Sequence, residues 1–175
     1  TRQVAKSGSG AADIVVTANY DATCANRVTC NQPSSVTDAR GKGTDFTYDA
    51  THGGVLTVTA PAPATSGTRP QTRSSYTLTN GEYVLTSVSA CRTGAAPACV
   101  GTADEVKATV VYDANGNLTS STSGAGDNSL TATTTATYTA KGDVLTVDGP
   151  LSGANDTTTY RYDAMRRPTG VISAD

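Results

Sequence analysis

A tyrosine followed by aspartate or threonine returns six times along this chain, usually ahead of a glycine-bearing turn and a small residue with threonine behind it. Tyr48-Asp49 runs through His52-Gly53-Gly54 to Leu56-Thr57, and Tyr112-Asp113 through Asn115-Gly116-Asn117 to Leu118-Thr119. Tyr162-Asp163 runs through Arg166-Arg167 to Pro168-Thr169, and Tyr20-Asp21 leads to Val28-Thr29. Tyr76-Thr77 and Tyr138-Thr139 keep the tyrosine, with Asn80-Gly81 and Lys141-Gly142 as their turns. The tyrosines stand 28, 28, 36, 26 and 24 residues apart. Such a period marks one supersecondary unit stacked in an array.

Each block reads as a β-hairpin. Val110-Val111-Tyr112 is β-branched and aromatic, Asn115-Gly116 suits positive φ, and residues 118 to 122 form a polar return strand. Aspartate after the tyrosine closes an Asx turn by accepting backbone N–H groups two residues on. Gly116 and Gly142 supply backbone freedom, so the Tyr162 unit, with two arginines there, is expected to hold the least typical turn.

Leu, Ile, Val and Phe make up roughly 26 residues, about 15%, below the usual level for a thick core. A net charge of only −2 argues against disorder as the explanation. An extended all-β array needs little core, and threonine-rich runs such as Thr131 to Thr139 suit strands better than helices. No helical period stands out. The expected organisation is a flexible or exchanged N-terminal segment at 1–12, then six hairpin repeats over 13–175.

The cysteines form two local pairs, Cys24 with Cys30 and Cys91 with Cys99. Local disulfides are favoured, each stabilising by roughly 2 kcal/mol on the chain-entropy model. A zinc site is the competitor, but Cys-x-x-Cys is absent and the single histidine, His52, lies within a turn. Disulfides place the protein in an oxidising compartment, outside the cell or at its surface. The chain opens at Thr1 without methionine or an apolar signal segment, and both ends look cut from something longer. No run approaches the length needed for a membrane helix.

These units resemble the YD repeats of bacterial rearrangement-hotspot (Rhs) proteins, a superfamily shared with shell components of insecticidal toxin complexes and with teneurins. The likeness covers roughly residues 13 to 172 and is densest from Tyr76-Thr-Leu-Thr-Asn-Gly-Glu-Tyr-Val-Leu-Thr-Ser-Val to Tyr112-Asp-Ala-Asn-Gly-Asn-Leu-Thr-Ser. It implies an extended curved sheet of tandem hairpins, an open segment of a β-shell or a β-solenoid-like array. In the family such a shell often encloses a toxic C-terminal domain released by self-cleavage at an aspartate-containing signature. This chain carries no Asp-Pro-x-Gly-Leu-like signature, and six units are too few to close a shell.

Catalytic patterns are missing: there is no Gly-x-Ser-x-Gly, no His-Glu-x-x-His and no phosphate-binding glycine loop. His52 alone could serve a triad, and Gly53-Gly54 place it at an exposed turn tip. Asp113 to Asn117 begins like a calcium loop, but Gly124 stands where a bidentate glutamate is required, and the Asx hairpin explains the same residues. The sequons at Asn117 and Asn155 are by-products of threonine richness. Expected site residues are therefore architectural, with no catalytic, metal or cofactor set. Scattered Lys and Arg give no basic stripe for nucleic acid. Tyrosines on the sheet leave carbohydrate binding open. The leading reading is a non-enzymatic wall or scaffold, and the alternative is a self-assembling extracellular filament subunit or adhesin pairing through strand edges.

Overall fold

The computed structural model describes residues 2–4, 14–63 and 67–174. Among the described residues thirteen strands follow one another in chain order, every described pair is antiparallel, and the sheet is open. They are β1 (Arg2–Val4), β2 (Ile14–Asn19), β3 (Ser35–Thr37), β4 (Gly43–Tyr48), β5 (Val55–Thr59), β6 (Gln71–Thr79) and β7 (Glu82–Cys91). After them come β8 (Glu105–Tyr112), β9 (Leu118–Ala125), β10 (Thr131–Tyr138), β11 (Val144–Asp148), β12 (Thr158–Tyr162) and β13 (Pro168–Ile172). The described residues contain no helix, hence none long and apolar enough to cross a membrane. Of the N-terminal segment 1–12 expected to be flexible or exchanged, residues 2–4 form β1 against β2, and residues 1 and 5–12 lie outside the described residues.

The chain divides into two compact units, one of residues 1–74 with 90–99, the other of residues 75–89 with 100–175. In each, strand alternation sorts side chains onto two chemically different faces. In the first unit Asn19, Ser35, Asp45, Thr59 and Gln71 form one cross-strand row. Asn19 Nδ2 donates to Ser35 Oγ at 2.8 Å, and Gln71 Nε2 to Thr59 Oγ1 at 3.0 Å. The opposite face carries the row Ala18, Val36, Thr44 and the row Phe46, Val58, Thr72, with the Phe46 and Tyr48 rings stacked at 6.4 Å. The long connection from β5 to β6 is fastened by Arg69. Its guanidinium donates to Asp45 Oδ2 at 2.5 Å and to the carbonyls of Gly43, Thr59 and Ala60.

The second unit repeats the division. Thr109, Thr122 and Thr133 form one row, and Thr137, Thr146 and Thr159 another on the same face. Hydroxyl pairs tie them at 2.9 Å between Thr122 and Thr133 and at 2.6 Å between Thr137 and Thr146. The other face carries Ala136 beside Val147 and Ala108 beside Ser123 and Ala132. Serine and threonine occur on both faces, but the hydroxyl rows are continuous on only one. Burial is correspondingly thin. Among the described residues the buried ones are Cys30, Ser89, Cys99, Glu105 and Ala125, and no large side chain is fully buried.

Candidate functional site at the tyrosine turns

The repeated aspartates form backbone cages. Asp113 N–H donates to the Asn117 carbonyl at 2.9 Å, and Gly116 N–H returns to the Asp113 carbonyl at 3.0 Å. Asp113 Oδ1 accepts from the N–H groups of Asn115 and Asn117, while Oδ2 accepts from Asn117 Nδ2. Gly116 holds φ at 83°, a value that a side chain would disfavour. Thr139 reproduces the turn with a hydroxyl, which accepts from Lys141 and Asp143 N–H at 3.3 and 3.1 Å. The Asp49 turn is one residue longer, closing from Asp49 N–H to the Gly54 carbonyl. Asp21 binds Thr23 and Ala25 N–H and opens the long loop between β2 and β3.

Four expectations need correction. The Tyr162 unit is not atypical: Asp163 and Arg167 close the same five-residue turn, and Arg166 takes the left-handed position at φ 65°. Arg166 gains a compensation that glycine could not supply, a two-pronged ion pair with Asp143 of the neighbouring turn, at 2.7 Å at its shortest. Tyr76 does not open a turn. It lies inside β6, and the reversal is made four residues later by Asn80 and Gly81, both at positive φ. His52 is not at an exposed tip, since only 12% of its side chain is accessible. Its Nδ1 accepts from Gly54 N–H at 3.1 Å, and its Nε2 sits 3.4 Å from Asp49 Oδ1, so the imidazole serves the turn. Finally, the Leu-Thr pairs do not occupy equivalent places. A bulge behind each turn leaves Leu56, Thr119, Leu145 and Thr169 as the extra residue, while Val55, Leu118, Val144 and Pro168 face the tyrosines.

The tyrosines tie hairpins together. Tyr48 Oη donates to the Pro33 carbonyl at 2.9 Å, Tyr112 Oη to Leu85 at 3.4 Å and Tyr138 Oη to Leu118 at 2.6 Å. The turns also touch one another: Asn26 Nδ2 donates to the Ala50 carbonyl at 2.9 Å, and Asn80 Nδ2 donates to the Ala114 carbonyl. Tyr138→Phe removes a donor while keeping the ring, so it is expected to cost about 1 kcal/mol in denaturant unfolding. Tyr112→Phe, whose bond is longer, is expected to cost less. No loss in either variant would deny the tyrosine hydroxyl this role.

One turn of the same kind escaped the tyrosine pattern. Asp38 accepts from Arg40 and Lys42 N–H at 2.9 and 2.8 Å, with Gly41 at φ 73°. Its signal is Asp-x-x-Gly, which matches Asp113 to Gly116 once the tyrosine is ignored. The structure also joins Cys24 to Cys30 and Cys91 to Cys99, with no free cysteine.

Hydrogen bonds to the charged form hold the turn carboxyls below the ordinary aspartate value. For Asp113 the leading cause is Asn117 Nδ2, for Asp163 the Arg167 N–H, for Asp49 the Thr51 N–H, and for Asp143 the Arg166 guanidinium. A carboxyl lowered by folding stabilises the fold above its unfolded value of 3.8, and that contribution disappears as pH falls through the lower folded value. Circular dichroism is therefore expected to show acid loss of structure beginning near this pH. Asp113→Asn should destabilise at neutral pH, with the gap to the parent closing as pH falls below 3.8 and through the lowered folded value. A gap that stays constant with pH would show that the charge of Asp113 does not matter.

Neither a protein-family model nor a curated protein matches the chain. Among solved structures it is similar to the crystal structure of TcdB2-TccC3 without hypervariable C-terminal region, at 14% identity and a TM-score of 0.33, over 94% of this chain and 11% of that one.

Proposed function

We propose that this chain is a non-enzymatic wall or scaffold segment of an extracellular bacterial Rhs/YD-repeat protein. The observation that carries the reading is the recurring junction between hairpins, in which an aromatic hydroxyl binds the neighbouring hairpin's backbone and polar turns bind one another. Such a sheet gains its order from repetition rather than from a thick core, which suits a wall. The turn carboxylates are engaged by backbone N–H groups and by side chains of the same or the neighbouring turn, which supports reading the repeated aspartates as architecture. Two disulfides support life in an oxidising compartment.

Electron microscopy of the native particle that contains this chain tests the proposal. Closed hollow particles are the expected result and would direct attention to whatever is enclosed. Continuous fibres would overturn it in favour of a polymerising surface protein.

A further inference from the structure

We propose that His52 is a pH-sensitive latch. While its imidazole is neutral it holds the Asp49 turn closed against the Cys24–Cys30 loop, and protonation between about pH 5 and 8 releases that contact. The inference goes beyond the wall reading and does not depend on it.

The latch follows from which ring nitrogen carries the proton. His52 Nδ1 accepts the Gly54 N–H at 3.1 Å, so Nδ1 bears no hydrogen and the proton of the neutral ring sits on Nε2, 3.4 Å from Asp49 Oδ1. A second proton has only Nδ1 to go to. It would set N–H against N–H, take away the acceptor of Gly54 and leave a half-buried amide unpaired. Asp49 offers a smaller return for the added charge. Its Oδ1 already accepts the N–H groups of Thr51 at 2.8 Å and His52 at 3.2 Å, and its side chain is 32% exposed, where water screens an ion pair.

Loosening at Gly54 is passed to the loop opposite, because the same turn supplies that loop with acceptors. Asn26 Nδ2 donates to the Ala50 carbonyl at 2.9 Å, and Gln32 Nε2 donates to the Gly53 carbonyl at 3.0 Å. The turn itself is closed by Gly53 N–H on the Asp49 carbonyl at 2.9 Å and by Asp49 N–H on the Gly54 carbonyl at 2.8 Å. A turn that swings away at Gly54 therefore draws the Gly53 carbonyl from Gln32.

The other charged or titratable groups of the packed elements are Asp49 in the turn, Tyr20, Asp21 and Arg27 in the loop between β2 and β3, and Asp45 and Tyr48 in β4. Strands β3 and β5 carry none. Asp21 is engaged by Thr23 and Ala25 N–H, Asp45 by Arg69, and Tyr48 by the Pro33 carbonyl. The Thr51 N–H is the leading cause that holds the Asp49 carboxyl below 3.8, so Asp49 keeps its charge throughout. Aspartate, tyrosine and arginine ordinarily ionise outside the range from about pH 5 to 8, which leaves the imidazole as the group that switches.

Amide hydrogen exchange of the intact, disulfide-bonded protein across that range, corrected for the intrinsic pH dependence of exchange and read beside an NMR titration of the His52 ring, provides the test. Protection at Gly54 is expected to fall roughly threefold to tenfold as the ring gains its proton. Gly116, whose N–H closes a turn without an imidazole, is expected to keep its protection, and the circular dichroism to stay unchanged. His52→Asn sets an oxygen near the place of Nδ1 but takes up no proton, so its Gly54 protection is expected to be flat with pH. Protection at Gly54 that stays constant while the ring titrates would overturn the proposal. An equal fall in His52→Asn, or a parallel fall at Gly116, would overturn it as well. If His52→Asn does not fold, the parent decides alone, through whether Gly54 follows the ring while Gly116 does not.

Discussion

Gly124→Ala is expected to destabilise the protein by roughly 3 kcal/mol or more, lowering Tm by roughly 6–12 °C. Gly124 lies in β9 opposite Thr131 on β10 and Lys107 on β8. A Cβ at this place would stand 2.0 Å from the Leu130 carbonyl oxygen, 2.9 Å from Thr131 Cα and 3.0 Å from the Leu130 carbonyl carbon. All three are backbone atoms, so no side chain can swing aside. The Leu130 carbonyl also accepts the Ala125 N–H at 2.8 Å, and displacing it would open the hairpin where Ala125 is buried. Gly170→Ala is the matched control. Nothing lies within 4 Å of its Cβ, and the change is expected to be neutral or stabilising by about 0.5 kcal/mol. Thermal unfolding of the two variants decides the matter. A Gly124→Ala protein melting with the parent would mean that the β9–β10 hairpin does not pack so closely.

The contrast between those two glycines shows where the amino-acid sequence is readable. All six tyrosine units lie at reversals from an even-numbered strand to the next odd-numbered one; in five of them an Asx or hydroxyl cap directly follows the aromatic anchor and makes the turn readable, and the Tyr76 unit is marked instead by Asn80-Gly81. The intervening reversals carry no tyrosine. The Asp38 turn, the Asp127–Ser129 turn and the loop after Asp148 therefore passed as inter-repeat sequence, although Asp127 caps Ser129 by the same chemistry. Gly124 drew notice only as the wrong residue for a calcium loop, because its role is set by a carbonyl on the next strand and leaves no local trace. Bulge positions were hidden likewise. Leu56-Thr57 and Leu118-Thr119 look alike in one dimension, yet Leu56 is the inserted residue and Leu118 the one that faces a tyrosine. The Arg166 pairing with Asp143 joins residues 23 apart and depends on which turns are neighbours.

Reduction of both disulfides is expected to cost roughly 4 kcal/mol in all, about 2 kcal/mol for each short loop, and to lower Tm by roughly 8–16 °C. The bridges span 6 and 8 residues, so they constrain little chain, but each contributes one of the few buried residues, Cys30 and Cys99. The Cys24–Cys30 loop is more than a local closure. Its Asn26 donates to the Ala50 carbonyl, Gln32 to the Gly53 carbonyl at 3.0 Å, and Pro33 accepts the Tyr48 hydroxyl. A side chain at Gly53 would also press on Val28 and Gln32, so loop and turn are in close contact. Losing this bridge should thus loosen the Asp49 turn, detectable as faster amide exchange at Gly53 and Gly54, whose N–H groups bind the Asp49 carbonyl and His52 Nδ1. Replacing Cys91 and Cys99 by serine should leave exchange at those two amides unchanged, since their partners lie in the other loop and turn. Alkylation without reductant supplies the first check: all four thiols reacting, or a melting temperature indifferent to reduction, would remove the disulfides from the account of how so thin a sheet stays folded.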